Sequence, residues 1–180
     1  RQMCIRDSYK ANGTNTAFKK FAVIDVGHFT TDILLMNNFQ WIQESSNSSV
    51  GMYKAVMELQ NRLGAKGINA TLIECQEIMR TGKIKEFGQF REVGDLVKEA
   101  TPITVSTVVQ DVKNLLGNQA RTIDHIIIAG GGSNSVFEEL KNLWPQCTLA
   151  ENPRYSVAVG MRKYGISQAL SDPSCLELTA

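Results

Sequence analysis

V-I-D-V-G-H-F-T-T-D, residues Val23 to Asp32, begins inside an apolar run and turns on a single glycine. Phe21 to Ile24 has the character of a buried strand. Gly27 lets the backbone reverse into a second apolar run, Ile33 to Met36, so a β-hairpin is expected. Its mouth gathers Asp25, Thr30, Thr31 and Asp32. These supply carboxylate for a hydrated Mg²⁺, with hydroxyl and backbone N–H donors for phosphate oxygens. Mg²⁺ keeps several waters and takes only one or two carboxylates, so two aspartates suffice. The same residues also suit a strand end closed by Asx and Thr turns, with no ligand.

A second turn, I-I-I-A-G-G-G-S-N-S from Ile126 to Ser135, comes about a hundred residues later and differs in kind. Ile126 to Ala129 reads as a central strand, and Gly130, Gly131 and Gly132 then strip every Cβ from one loop. Such a loop reaches positive φ without strain and lets a flat or anionic ligand rest on the backbone. Ser135 and Glu138 have capping-box spacing ahead of Val136, Phe137, Leu140, Leu143 and Trp144, an apolar face that Pro145 ends. A helix N-terminus pointing at the loop favours an anion. A tight strand-to-helix turn without ligand remains the plainer alternative. The spacing is not that of G-x-G-x-x-G, because Ser135 stands where the third glycine would be.

Bulk properties narrow the partners. The chain has 180 residues and a formal net charge of +1. That is enough for one domain or two small lobes, and it lacks the basic face a DNA reader carries, so no direct nucleic-acid binding is expected. No apolar run approaches a membrane span and no signal peptide is recognisable, so no membrane partner is expected. Cys4, Cys75, Cys147 and Cys175 form no C-x-x-C pair, and His28 and His125 are far apart in sequence, which argues against a disulfide framework or zinc site. A cytoplasmic location fits these features.

Along the chain, residues 1–19 carry no period, and Arg1 to Ser8 shares no pattern with the rest of the chain. They read as a non-native or disordered leader. A third strand is expected near Gln40 to Glu44, then a polar turn from Ser45 to Ser49. Met52, Val56, Leu59 and Leu63 next recur at helical spacing, with Ser49 as cap and Gly64 as stop. Residues 68–95 change character and read as a small inserted lobe: a helix over Leu72 to Met79, the T-G-K turn at Thr81 to Lys83, and short segments over Ile84 to Phe90. Arg80 and Lys83 there are candidate nucleotide contacts, although a lysine beside a C-capping Gly82 is also an ordinary partner of the helix dipole. Val105, Val108, Val109, Val112, Leu115 and Leu116 predict a long helix that stops at Gly117, held by packing because so many of its residues are β-branched. A short strand at Cys147 to Leu149 precedes a last helix capped by Asn152, with Pro153 in its first turn, an apolar face of Val157, Ala158, Met161 and Tyr164, and an end at Gly165. The core thus spans 20–67 and 96–165, and 166–180 is a tail. The fold class is α/β, a mixed sheet opened by an antiparallel hairpin and flanked by helices.

Three motifs together carry a family likeness: D-x-G-x-x-T-T-D at Asp25, I-I-x-x-G-G-G-S ending at Ser133, and N-P-R-x-x-x-A-x-G from Asn152 to Gly160. Over about residues 20 to 165 the chain resembles the second half of an actin-like ATPase of the actin, sugar-kinase and Hsp70 superfamily, whose domains are ribonuclease-H-like. Within it the chain is most similar to plasmid-segregation actins of the ParM/StbA type, a likeness that also takes in Val50 to Leu63 and R-T-G-K-I at Arg80 to Ile84. The resemblance implies ATP or GTP with Mg²⁺ as cofactors. Asp25 would be the catalytic acid, holding Mg²⁺ through water. Gly27, Thr30 and Thr31 would belong to the phosphate turn, and Gly130, Gly131, Gly132 and Ser133 to the loop that receives the nucleoside and its first phosphate. Ala158 and Gly160 would let helices cross closely. His28 and Phe29 depart from relatives that have glycine or small residues there, and no catalytic role is assigned to His28.

The resemblance further implies self-association into filaments and a DNA-bound adaptor protein in plasmid segregation. In that family the nucleotide lies between two related domains, whereas this sequence shows one such hairpin. It reads as a fragment with little or no hydrolysis of its own, since phosphoryl transfer depends on positioning from all sides. Other readings are a metabolite kinase or chaperone of the same superfamily, and a non-catalytic scaffold of the division or pilus-assembly type. A metal-dependent nuclease using Asp25 and Asp32 is the most remote, because it leaves the triple glycine without a role.

Overall fold

The computed structural model describes residues 20–38, 40–42 and 47–171. The expected leader 1–19, residues 45–46 of the expected Ser45 to Ser49 turn, and residues 172–180 lie outside the described residues. β1 (Lys20–Val26) and β2 (Thr30–Asn37) form the antiparallel hairpin, in register from Val26↔Thr31 to Lys20↔Asn37. β3 (Gln40–Trp41) and β4 (Asn47–Val50) both pair antiparallel with β2. On the other side of β1, β7 (His125–Ala129) and then β8 (Cys147–Leu149) run parallel. The sheet is therefore mixed, in the order β3-β2-β1-β7-β8, with β4 also on β2.

Phe21 to Ile24 and Ile126 to Ile128 are continuous apolar runs because β1 and β7 are buried on both faces. One face, carrying Ala22, Ile24, Val26, Ile33, Leu35, Ile126 and Ile128, packs on α4 (Pro102–Leu116) and α5 (Ser133–Leu143) through Val105, Val108, Val112, Val136 and Leu140. Pro102 opens α4, where its fixed φ and missing N–H cost nothing. The opposite face, with Phe21, Val23, Leu34, Met36, Ile127 and Ala129, packs on Ala150 and on Val157 of α6 (Ser156–Ser171).

A second apolar core joins Val56, Leu59 and Leu63 of α1 (Tyr53–Ala65) to Cys75 and Ile78 of α2 (Leu72–Thr81). Ile84 of β5 (Lys83–Glu86) and Leu96 and Ala100 of α3 (Gly94–Ala100) complete it. β5 pairs with β6 (Gln89–Glu92) as a separate two-stranded hairpin. α2 opens on a capping box: Glu74 N–H donates to Thr71 Oγ1 at 3.2 Å, and Thr71 N–H donates to Glu74 Oε2 at 2.7 Å. Gly82, at φ 69, closes it by donating its N–H to Ile78 O at 2.7 Å.

Several local expectations are corrected. Ser49 does not cap α1. It lies in β4 opposite Thr31, and its hydroxyl donates to Asp111 of α4. Met52 holds the N-cap position, and Gly64 lies inside the helix, which closes at Lys66. Ser135 is not a cap either: α5 starts two residues earlier, with Gly132 at N-cap, because Gly132 N–H is tied to Val26 O at 2.9 Å and fixes where the helix begins. Asn152 precedes a 3-10 turn, Pro153–Tyr155, and α6 then runs through Gly165 to Ser171. α3 was invisible in the sequence because seven residues are too few to establish a helical period. No helix among the described residues is long and apolar enough to cross a membrane.

Candidate nucleotide site

Because β1 and β7 are adjacent and parallel, the turns at their C-terminal ends emerge at the same edge of the sheet, with Asp25 in register with Ala129. Ligands of open α/β sheets gather at such an edge. The turns are built against each other. Gly130 has φ 90, and a Cβ there would stand 2.5 Å from Asp25 Oδ1 and closer still to Val26 O. A Cβ on Gly132 would stand 2.8 Å from Val26 Cγ1 and overlap the Met52 side chain. Gly131 differs: its nearest neighbour would be Arg154 Cγ at 3.9 Å, an ordinary contact. The three glycines therefore divide their roles. Two let the turns pack, and the middle one leaves an open backbone surface under Arg154.

Asp25 is 3% exposed and shares a face of β1 with Val23. Across the hairpin it stands directly opposite Asp32. Two carboxylates in that relation repel unless positive charge is near. Thr30 Oγ1 donates to Asp32 Oδ2 at 3.2 Å. Thr31 is brought elsewhere: strand alternation turns it to the other face, fully buried, where Oγ1 donates to Val50 O at 2.8 Å.

Gly27 N–H donates to Thr30 O at 2.8 Å and closes the turn. The next three carbonyls face inward: Met52 N–H donates to Gly27 O (3.1 Å), Tyr53 N–H to His28 O (2.7 Å) and Gly51 N–H to Phe29 O (2.9 Å). This is how α1 is capped without a side chain. It also explains Gly51, where a Cβ would stand 2.6 Å from His28 O. With those carbonyls turned in, the N–H groups of His28 and Phe29 have no protein acceptor among the described residues. Successive backbone N–H groups in a turn make an anion-binding concavity.

Ser133, the first residue of α5, is 1% exposed, and its Oγ has no hydrogen-bond partner among the described residues. A buried hydroxyl is normally satisfied. It stands beside the glycine turn, where Gly130 N–H donates to Pro153 O at 2.8 Å.

The N-P-R motif by itself gives Arg154 no role. Arg154 lies beside Gly131, with its guanidinium 5.8 Å from the Tyr155 ring. The facing helix α2 contributes Glu77 and Arg80, paired with each other, Arg80 Nε to Glu77 Oε2 being 3.1 Å. The Arg80 hydrogen bond holds the Glu77 carboxyl below its usual range against burial, helped by the Arg80 and Arg154 charges. Glu77 chiefly, with Tyr155 as a smaller influence, raises Arg80. Lys83 is engaged elsewhere, 2.9 Å from Glu92 across its own hairpin. Missing Arg154 was avoidable only by knowing that Asn152 to Tyr155 folds back onto the glycines. No group of three or more His, Cys, Asp or Glu residues suited to a metal occurs among the described residues. A divalent ion here would depend on water and ligand oxygens as well as Asp25.

Comparison with known proteins agrees with this fold. The family model described as archaeal actin homologue MreB-like, C-terminal, matches residues 23–142. Ta0583, an archaeal actin homologue, is 18% identical with a TM-score of 0.77, the match covering 92% of this chain and 54% of that one. Its complex with ADP gives 17% and 0.77, covering 93% and 57%. A 15-stranded ParM filament from Clostridium botulinum gives 22% and 0.73, covering 91% and 51%. At these identities the likeness is one of fold, and the chain spans about half the length of each. No curated protein matches. The hairpin, the mixed sheet and the family match over residues 23–142 lead to one assignment: this chain belongs to the MreB-like C-terminal family of archaeal actin homologues.

Proposed function

We propose that the chain is the C-terminal half of an actin-like protein that binds ATP or GTP with Mg²⁺ and assembles into filaments that segregate plasmid DNA through a DNA-bound adaptor, in the cytoplasm. One observation carries the reading. Asp25, the open N–H groups of His28 and Phe29, the bare backbone of Gly131 and the unpartnered Ser133 hydroxyl all meet at one sheet edge. That is a carboxylate for a hydrated cation beside two backbone surfaces for phosphate and nucleoside. Mg²⁺ would supply charge neutralisation at the phosphates. Asp25 would orient its water shell, Gly27 to Thr30 would bind phosphate oxygens, and Arg154, Tyr155, Glu77 and Arg80 would flank the base.

Support for assembly comes from the likeness to a ParM filament, and support for the nucleotide from the likeness to an ADP complex. The lobe built on residues 68–95 would form the outer wall of the base pocket. Hydrolysis by this half alone would be slight, because phosphoryl transfer needs groups on every side of the phosphates. Isothermal titration of Mg²⁺-ATP into the purified chain, beside Asp25→Ala and Gly131→Val, tests the reading. Gly131→Val is the informative variant because it fills the groove at a position where a side chain meets no backbone. Binding lost in both folded variants supports the site. Binding unchanged in Gly131→Val sinks it.

A further inference from the structure

His28 occupies the phosphate turn yet is not a passive rim residue. Its ring meets Phe29 edge-on at 4.5 Å between centroids and Tyr53 at 5.3 Å, with interplanar angles of 77° and 82°. Phe29 and Tyr53 are themselves 5.3 Å apart. The backbone is fixed as well, since His28 O accepts from Tyr53 N–H at 2.7 Å. Two rings therefore flank the imidazole edge-on, and the backbone bond fixes the main chain that carries it.

One ring nitrogen has a specific neighbour: His28 Nε2 lies 3.2 Å from Nε2 of Gln76, on α2 of the smaller core. A carboxamide nitrogen can only donate, so with this end of the Gln76 amide toward the ring the ring nitrogen accepts; turned end for end, the amide oxygen would accept from Nε2–H instead. In a neutral imidazole the first arrangement puts the proton on Nδ1. Nδ1–H is then a donor on a residue whose own backbone N–H, with that of Phe29, has no protein acceptor among the described residues. All three donors suit an anion on the turn.

We propose that His28 donates from Nδ1 to a phosphate oxygen of the bound nucleotide, and that Gln76 is the positioning residue that keeps the proton on Nδ1. This rests on the nucleotide reading above. It adds an imidazole donor to the backbone N–H groups and the Thr30 hydroxyl of the turn. It also makes the phosphate contact depend on α2, so displacement of that helix weakens the grip on phosphate.

The test combines imidazole ¹⁵N shifts with titration of Mg²⁺-ATP into the folded chain. In the ligand-free protein the His28 shifts report the Nδ1–H tautomer, and Gln76→Glu, which accepts from Nε2, moves the proton to Nε2. His28→Ala weakens Mg²⁺-ATP binding by roughly tenfold, the worth of one hydrogen bond to a charged group. His28→Asn recovers part of it through its amide N–H. Gln76→Glu weakens binding comparably, and Gln76→Leu less. Wild type and His28→Ala binding Mg²⁺-ATP equally overturns the proposal and leaves the nucleotide site standing. An Nε2–H tautomer in the wild type overturns it as well. If the folded wild type binds no Mg²⁺-ATP, the nucleotide reading fails and this inference falls with it.

Discussion

Asp25 Oδ1 lies 2.5 Å from the point where a Cβ on Gly130 would stand, so the carboxylate of the first turn and the bare backbone of the second occupy each other's space. Gly130 also sits at φ 90, a region that L side chains rarely adopt. Gly130→Ala is therefore expected to cost about 2–4 kcal/mol, from left-handed strain and overpacking together. Gly131→Ala should stay within about 0.5 kcal/mol, as at an uncrowded position. Urea unfolding of both variants checks this. Equal losses at the two glycines would refute the division of roles.

That division marks the limit of what the sequence revealed. The hairpin was legible because Phe21 to Ile24 and Ile33 to Met36 are apolar runs around one glycine, and β7 because Ile126 to Ala129 is apolar throughout. Which of Gly130, Gly131 and Gly132 is crowded depends on Val26, Met52 and Arg154, contacts from three separate segments. Thr31 sat in the right motif, yet strand alternation turned it away from Asp25 and Asp32, a consequence that period-two reasoning could have caught. The helix starts failed at Ser49 and Ser135 for a shared reason. Backbone groups of the neighbouring turn cap α1 and fix the start of α5, so no side-chain signal was needed there.

Asp25→Asn keeps the shape and removes the charge opposite Asp32. The variant keeps the size of the side chain and is expected to fold, which circular dichroism checks before titration. Its affinity for ATP should no longer rise when Mg²⁺ is added, whereas the wild type should gain roughly tenfold or more. Titrations with Mg²⁺ and with a chelator separate the two. A Mg²⁺ effect that survives in Asp25→Asn would remove Asp25 from the cation site.

The Thr71 and Glu74 capping box starts the helix that carries Gln76, Glu77 and Arg80. Thr71→Ala removes the acceptor for Glu74 N–H and should speed amide exchange over Leu72 to Thr81 by roughly fivefold. The Thr71 backbone and hydroxyl bonds hold the Glu74 carboxyl below 4.5. Its share of stability is therefore present above that value and lost as pH falls through the lower folded one. Hydrogen exchange at neutral and acidic pH checks both statements, and exchange that changes equally across α4 would show a global effect.

Cys147 is fully buried in the larger core, and burial pushes its thiol up to about 11, a little offset by Lys141. Cys75 is fully buried too, and burial first, then the Glu74 charge, raises it. The thiolate is the reactive form, so neither should be alkylated at neutral pH until the chain unfolds. Labelling in graded urea, read by mass spectrometry, should follow the unfolding transition at both sites. Prompt labelling of Cys147 in native buffer would contradict its burial.

His125 gives the chain a pH dependence of definite sign. It begins β7, half-buried, with Nε2 2.9 Å from Thr148 Oγ1. Burial first, and then the Lys141 charge, lowers its pKa below 6.5. In the unfolded chain the imidazole regains its ordinary value, so between the two values the unfolded state binds more protons. Stability linked to this residue therefore declines as pH falls through 6.5 and levels off below the folded value. Lys141 contributes from a fixed position, since its ammonium donates to Cys147 O at 2.7 Å. His125→Gln should flatten the fall in urea midpoint on moving from neutral to mildly acid buffer, and Lys141→Met should reduce it partly. An unchanged slope in His125→Gln would assign the acid sensitivity to other groups.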